Sequence, residues 1–157
     1  MLRNIRFIFA AISLITVVSI FSVNATTLSN RIFGLDRVKT AVSVASEGWT
    51  NSDYAIIAYA WDFPDAVSAA PLAYKYNAPI LLTEKENLNA DTTDEVDTLQ
   101  VKHVFIVGGT GVVSANIEAQ IKAKGIDVQG LWGTDRYQTS IAIANQVGQS
   151  NQILRPV

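Results

Sequence analysis

The chain has 157 residues, a formal net charge of −2 at neutral pH, one histidine and no cysteine. Without cysteine there are no disulfides, no thiolate metal sites and no cysteine nucleophile. A mildly acidic chain is also a poor general binder of nucleic acid, which requires an overall basic surface. We therefore expect a domain that folds on its hydrophobic core alone, with no metal, no cofactor and no nucleic-acid partner.

Residues 1–25 have the composition of a secretory signal peptide. Arg3 and Arg6 precede an uncharged apolar run that ends in small residues at Ala25, which fits a cleavage site. A retained membrane anchor is the alternative, but four hydroxyl residues dilute the run, and it is only about as long as the shortest spanning helices, roughly 17 residues. We expect export, cleavage before Thr26 and no membrane association afterwards. The remaining 132 residues would carry ten basic and 14 acidic side chains, a net charge of −4.

A motif near the start of the mature chain recurs 99 positions later. Both copies read Gly-x-Asp-Arg-x-x-Thr with an alanine five residues beyond the threonine. The matching residues are Gly34, Asp36, Arg37, Thr40 and Ala45, then Gly133, Asp135, Arg136, Thr139 and Ala144. A unit of about a hundred residues is a small domain rather than a solenoid repeat. The chain is thus predicted to hold one complete repeat over 31–130 and a truncated second repeat over 131–157.

The first half of the repeat predicts a helix, a strand and a second helix. Asp36 is a suitable N-cap for a helix over 37–47, which Gly48 would end. Residues 54–60 form a continuous apolar run, as in a strand buried on both faces. A helix should follow over 65–76, capped by Asp65 and interrupted by a proline inside it.

The second half alternates in the same way. Strands are predicted over 78–83, 103–108 and 126–129. Between them, a capping box at Thr92 opens a short helix, and Ser114 caps a helix that runs to Lys124. A last helix over 136–148 should repeat the first. This alternation predicts a small doubly wound α/β domain with a parallel sheet that is covered on both faces.

The turn from Gly108 to Gly111 lies between a strand and a helix, as phosphate-binding loops do. It departs from the dinucleotide fingerprint, because Ser114 stands where a third glycine is needed, and no Gly-Lys follows as in a nucleotide-binding P-loop. A tight turn is the favoured interpretation of Gly108 and Gly109. Binding of a phospho-ligand or nucleotide stays open as an alternative.

Two acids, Asp62 and Asp65, follow the first strand, at the sheet edge where open α/β proteins bind ligands. Paired carboxylates can hydrolyse glycosidic bonds when a cleft holds them a few ångströms apart. Asp65 is equally suited to cap a helix. A structural role is favoured, and a cell wall hydrolase is the alternative; no pattern in the sequence singles out a catalytic residue.

The recurring Asp-Arg pair allows two interpretations. An arginine beside the free amides of a helix start is suited to phosphate or carboxylate ligands. The same pair could instead form a salt bridge that holds neighbouring repeats in register. The residues themselves leave both interpretations open for Arg37 and Arg136.

Several motifs in the same order resemble one known family, the second-type cell-wall-binding repeat of Gram-positive surface proteins. The resemblance covers roughly residues 31–148. The motifs that carry it are Phe33-Gly-x-Asp-Arg-x-x-Thr-Ala41, Phe63-Pro-Asp-Ala66, Ala69-Ala-Pro-Leu-Ala-Tyr-Lys75, Ala78-Pro-Ile-Leu-Leu-Thr83, Lys102-x-Val-Phe-Ile-Val-Gly-Gly-Thr-Gly111 and Trp132-Gly-x-Asp-Arg-Tyr-x-Thr-Ser140.

The resemblance implies a Toprim-like α/β module that holds surface-layer proteins, adhesins and autolysins to an anionic secondary wall polymer. We therefore expect a secreted, non-catalytic protein of the cell wall or cell surface. The polymer contacts implied by position are Arg37 and Arg136, with Lys39 and Lys75 as helpers. The structural motif residues implied are Gly34, Asp36, Thr40, Asp65, Gly108, Gly109 and Asp135. Such repeats usually come in threes, so three copies of this chain could replace three tandem repeats as a homotrimer. A catalytic domain of an autolysin, outside this chain, would fit the hydrolase alternative.

Overall fold

The computed structural model describes residues 31–148, which form four parallel strands and six helices. In chain order the elements are α1 (Arg37–Gly48), β1 (Tyr54–Tyr59), α2 (Phe63–Ser68), α3 (Ala70–Tyr76), β2 (Ile80–Thr83), α4 (Ala90–Thr98), β3 (His103–Val107), α5 (Ala115–Ala123), β4 (Asp127–Leu131) and α6 (Arg136–Val147). The predicted α/β class with a parallel sheet is confirmed.

The strands lie in the order β2-β1-β3-β4, and all neighbouring pairs are parallel. Ile56 of β1 sits opposite Ile80 of β2 on one side and Phe105 of β3 on the other. From β1 the chain first winds outward to β2 and then crosses back to β3. The order of strands therefore reverses between β1 and β3, and this switch point is where open α/β sheets form a crevice at the carboxyl ends of their strands.

Each face of the sheet carries its own apolar core, because successive strand residues point to opposite sides. Ile57 and Ile106 face the layer of α1, α4 and α5. Ile56 and Val107 face the layer of α2, α3 and α6. All four side chains are at most 5% exposed, which explains why the strand sequences are apolar throughout rather than alternating.

Three predicted details of the helices are wrong. The helix predicted over 65–76 begins at Phe63 instead. Its predicted interruption by the proline is confirmed, because the helix divides at Ala69 and restarts with Pro71 in the first turn of α3. Asp65 is therefore inside the first turn of α2 and is not its cap. The capping box at Thr92 does not form either: Asn89 caps α4, and the Thr92 hydroxyl donates to the Leu82 carbonyl from within the helix.

Helix α6, the first element of the predicted second repeat, packs on the first unit. Its Ile143 is 1% exposed and belongs to the same core as Leu72 and Val107. The described part of the predicted second repeat thus completes the core on the second face of the sheet. Within residues 31–148 no helix combines the length and the apolar character needed to cross a membrane.

Candidate functional site

The recurring motif forms the same helix start in both copies. The Asp36 carboxylate accepts a hydrogen bond from the Lys39 amide at 2.8 Å, and Asp135 accepts one from the Gln138 amide at 2.8 Å. Both aspartates have extended backbones and act as N-caps, as predicted for Asp36.

The glycine and the threonine of the motif belong to the same structure. The Gly34 amide donates to the Thr40 hydroxyl at 3.0 Å, and the Gly133 amide donates to Thr139 at 3.2 Å. A Cβ atom at Gly34 would lie 2.6 Å from the Thr40 amide nitrogen, closer than any side chain tolerates. These residues thus have a structural reason for recurring, and the arginine is the motif member whose side chain is left for other contacts.

Arg37 lies at the carboxyl end of β1, on the exposed edge of the sheet. Its Nη1 donates to the Ala60 carbonyl at 3.0 Å, and its guanidinium lies 4.6 Å from the ring centroid of Trp61. Trp61 itself is 57% exposed. No carboxylate within residues 31–148 forms an ion pair with Arg37, so its charge is not neutralised by a described neighbour.

Arg136 lies at the same edge, on the other side of the loop that follows β1. It lines a crevice of about 250 Å³ at the switch point, together with Asp62, Asp65, Gly109, Val112 and the start of α6. Three carboxylates, those of Asp62, Asp65 and Asp135, line the crevice beside this one arginine. The sheet therefore brings the two recurring arginines to one edge, but it gives them different neighbours.

Asp65 is the electrostatically unusual residue of the crevice. Burial raises the pKa of its carboxyl group above the ordinary value, the charge of Asp62 raises it further, and Arg136 opposes both effects. Its Oδ1 is buried without a hydrogen-bond partner within the described part of the chain. Asp65 is thus a half-buried acid whose pKa is raised despite the opposing charge of Arg136.

The two lysines predicted as additional polymer contacts do not join Arg37 at the carboxyl edge of the sheet as free charges. Lys39 forms an ion pair with Asp91 at 2.8 Å. Lys75 donates to the Gln146 carbonyl at 2.9 Å and lies over the Tyr76 ring, at the amino end of the sheet. Lys75 is therefore separated from the arginine edge, and Lys39 is held by an acid.

Gly108, the first glycine of the turn after β3, has a structural role. Gly108 has a φ of +104°, and a Cβ there would meet Val112 and lie 3.0 Å from Asp65 Oδ2. A Cβ at Gly109 would lie 3.6 Å from the Trp132 ring, an ordinary van der Waals contact, so packing does not require glycine at this position. The contacts of Gly108 favour the tight-turn interpretation over a phosphate loop, and the crevice in front of the turn is lined by the carboxylates of Asp62 and Asp65, which would repel a phosphate.

Sequence reasoning did not predict the contact between Arg37 and Trp61. A signal for it was present, since Trp61 directly follows β1 and Arg37 opens a helix whose start must return to the carboxyl edge. The sequence does not show on which face of the sheet α1 packs, and the contact between Arg37 and Trp61 depends on that face. Within residues 31–148 no group of three or more His, Cys, Asp or Glu side chains is arranged to hold a metal ion.

Comparison with known proteins gives a consistent result. The family model described as Cell wall binding domain 2 (CWB2) matches residues 31–118. N-acetylmuramoyl-L-alanine amidase LytC of Bacillus subtilis (strain 168) is 38% identical over 122 residues, which cover 78% of this chain and 25% of LytC. The amidase enhancer of the same organism is 30% identical over 127 residues, or 81% of this chain and 18% of the enhancer.

Solved structures agree with these sequence relatives. Cwp6 from Clostridium difficile matches with a TM-score of 0.70 and 35% identity, over 73% of this chain and 18% of that one. Cwp8 from the same organism matches with a TM-score of 0.69 and 33% identity, over 73% of this chain and 21% of that one. The chain thus spans a quarter or less of each of these proteins.

Proposed function

The chain belongs to the cell wall binding domain 2 family, and from this we propose that it attaches non-covalently to the cell wall by binding an anionic secondary wall polymer. In this proposal the chain acts as a binding module and not as a catalyst. LytC is named as an amidase, but the chain corresponds to only a quarter of that protein. The family match carries this proposal, and the exposed arginine edge supports the anionic character of the ligand.

Arg37 is the main polymer contact in this proposal. Its guanidinium is exposed, has no described carboxylate partner and lies against a half-exposed indole. Guanidinium groups bind phosphate and carboxylate through two parallel hydrogen bonds, and aromatic rings pack against sugar rings. Arg37 with Trp61 therefore suits a polymer that carries both sugars and acidic groups.

The other basic residues contribute less. Arg136 lies among three carboxylates, which offset its attraction for an anion. Lys39 is paired with Asp91, and Lys75 lies at the opposite end of the sheet. One module then offers one strong contact, at Arg37, and weaker ones elsewhere on its surface, and repetition of such modules would raise avidity.

The proposal divides the chain into three segments. Residues 1–25 act as a signal peptide that exports it, 31–130 form the wall-binding repeat, and 131–157 open a second repeat. The exported chain would lie at the cell surface. The signal segment falls outside the described residues, and the case for it rests on its composition.

Retention on purified cell walls tests the proposal. Arg37→Ala should weaken binding about 10- to 150-fold, because a charge-assisted hydrogen bond contributes roughly 1.5–3 kcal/mol. Added salt should weaken binding of the unchanged chain as well, since exposed charges are screened within about 10 Å at 0.1 M.

Lys102→Ala is the matched control. It removes the same charge from the exposed pair with Asp53, at the amino end of the sheet. The control should retain its binding. Equal retention of Arg37→Ala and the unchanged chain, with circular dichroism unaltered, would contradict the ionic contact at Arg37.

A further inference from the structure

The core on one face of the sheet ends before the amino ends of its strands. On the face that α2, α3 and α6 cover, Leu131 of β4 is buried, and the residues two and four positions before it, Gln129 and Asp127, are exposed. Asp127 lies opposite His103 of β3, which is also polar and begins its strand. Polar side chains therefore take the positions that a sheet covered along its whole length would fill with apolar ones.

A pocket of about 220 Å³ lies where this core ends, and we call it the amino-end pocket. Aromatic rings form one part of its lining. Tyr54 stacks on His103 with the ring centroids 4.8 Å apart, and the rings of Tyr76 and Phe105 lie 4.8 and 5.8 Å from that of Tyr54. The pocket thus offers a continuous aromatic surface and has room for one sugar ring.

Planar polar side chains form the rest of the lining, and they keep hydrogen-bonding capacity for a ligand. Gln146 Nε2 donates to the Tyr76 hydroxyl at 3.0 Å, and Gln146 Oε1 accepts from Gln129 Nε2 at 3.1 Å. Each of these amide nitrogens has a second hydrogen to donate. Within residues 31–148 neither the Gln129 side-chain oxygen nor the Tyr54 hydroxyl forms a hydrogen bond. The pocket therefore presents fixed donors and acceptors beside its aromatic surface.

The charge of the lining favours an uncharged ligand. Asp127 is the one carboxylate in it; its Oδ2 lies 3.4 Å from His103 Nδ1, and its side chain is 78% exposed. Lys75 is near but does not line the pocket, because its ammonium group donates to the Gln146 backbone carbonyl. A carboxylate accepts hydrogen bonds from sugar hydroxyls and repels acidic groups. The amino-end pocket thus differs in character from the arginine edge at the other end of the sheet.

We propose that the amino-end pocket binds an uncharged sugar residue of a wall glycan. The C–H groups of the sugar pack on the aromatic rings, and its hydroxyls bond to Asp127, Gln129 and Tyr54, a combination of apolar surface and few polar groups that is usual for small-molecule sites. That the glycan belongs to the wall rests on the proposed function, whereas the preference for an uncharged sugar rests on the lining alone. The module then holds its ligands at opposite ends of the sheet, an acidic group at Arg37 and an uncharged sugar here.

Titration of residues 26–157, followed by the NMR signals of the backbone amides, tests the proposal. One probe is the N-acetylglucosamine tetrasaccharide, for the peptidoglycan backbone, and the other is the neutral oligosaccharides released from the secondary polymer. At least one should shift the signals of His103 and Gln129 saturably at millimolar concentration, and the probe that does so identifies the source of the sugar. A tetrasaccharide in which glucuronate alternates with N-acetylglucosamine should bind at least tenfold more weakly. No shift with either neutral probe would overturn the proposal, as would equal binding of the acidic one.

Substitutions locate the site and separate it from the arginine edge. Gln129→Ala and Tyr54→Phe should each weaken sugar binding at least threefold, because each removes a hydrogen-bonding group and keeps the stacked rings. Gln120→Ala is the matched control, since Gln120 lies in α5 on the other face of the sheet, and it should bind as the unchanged chain does. Arg37→Ala should leave the sugar titration unaltered, so failure here is distinct from failure of the proposed anionic contact. Unchanged affinity in both pocket variants, with circular dichroism intact, would overturn the assignment.

Discussion

Replacing Gly34 by alanine should destabilise the domain by about 2–3 kcal/mol. The added Cβ would lie 2.6 Å from the Thr40 amide nitrogen, in contact with backbone that cannot move without unwinding the first turn of α1. Relieving the clash breaks the bond from the Gly34 amide to Thr40 and displaces the Asp36 cap. A hydrogen bond contributes about 1 kcal/mol and an N-cap typically about 1 kcal/mol, and residual strain adds to both.

Urea denaturation followed by circular dichroism measures this effect. Gly48→Ala is the matched control, because no atom lies within 4 Å of a Cβ at that position, the last residue of α1. Gly48→Ala should be neutral or stabilising by up to about 1 kcal/mol, since alanine favours the helix. Equal free energies of unfolding for the two variants would refute the close approach as the reason for the glycine.

Three further predictions concern the crevice, the turn and the export of the chain. The pKa of Asp65 is raised in the folded state, so its contribution to folding stability is lost as pH rises through that pKa. Asp65→Asn should therefore become more stable relative to the unchanged chain as pH rises from 3 to 7. A difference in the free energy of unfolding that stays constant over this range would contradict the raised pKa. Calorimetric titration with ATP should give no binding, because Asp62 and Asp65 face the glycine turn, whereas saturable binding would favour the nucleotide-binding alternative. The secreted protein should begin at Thr26, and an intact mass that includes Met1 would disprove the cleavage site.

The sequence predicted the strands well because each is a short apolar run between turn residues. It misplaced the starts of α2 and α4, where several residues could act as caps and tertiary contacts decide. Thr92 is an example: as part of a capping box it should open a helix, but its hydroxyl instead donates to the carbonyl of Leu82 in β2.

The candidate site was predictable in part. Recurrence pointed to Arg37 and Arg136, and their position at helix starts placed both at the carboxyl edge. Their different neighbours could not be predicted, because these depend on which face of the sheet each helix covers. The two motifs share the Gly-x-Asp-Arg-x-x-Thr pattern, and the packing of each helix separates an arginine against Trp61 from one near Asp65.

Binding of residues 26–157 to cell walls before and after chemical removal of the secondary polymer tests the central claim most directly. The account predicts that the chain sediments with intact walls at low salt and stays in solution with walls from which the anionic polymer has been stripped. Equal binding to intact and stripped walls would contradict it, because peptidoglycan itself would then be the ligand.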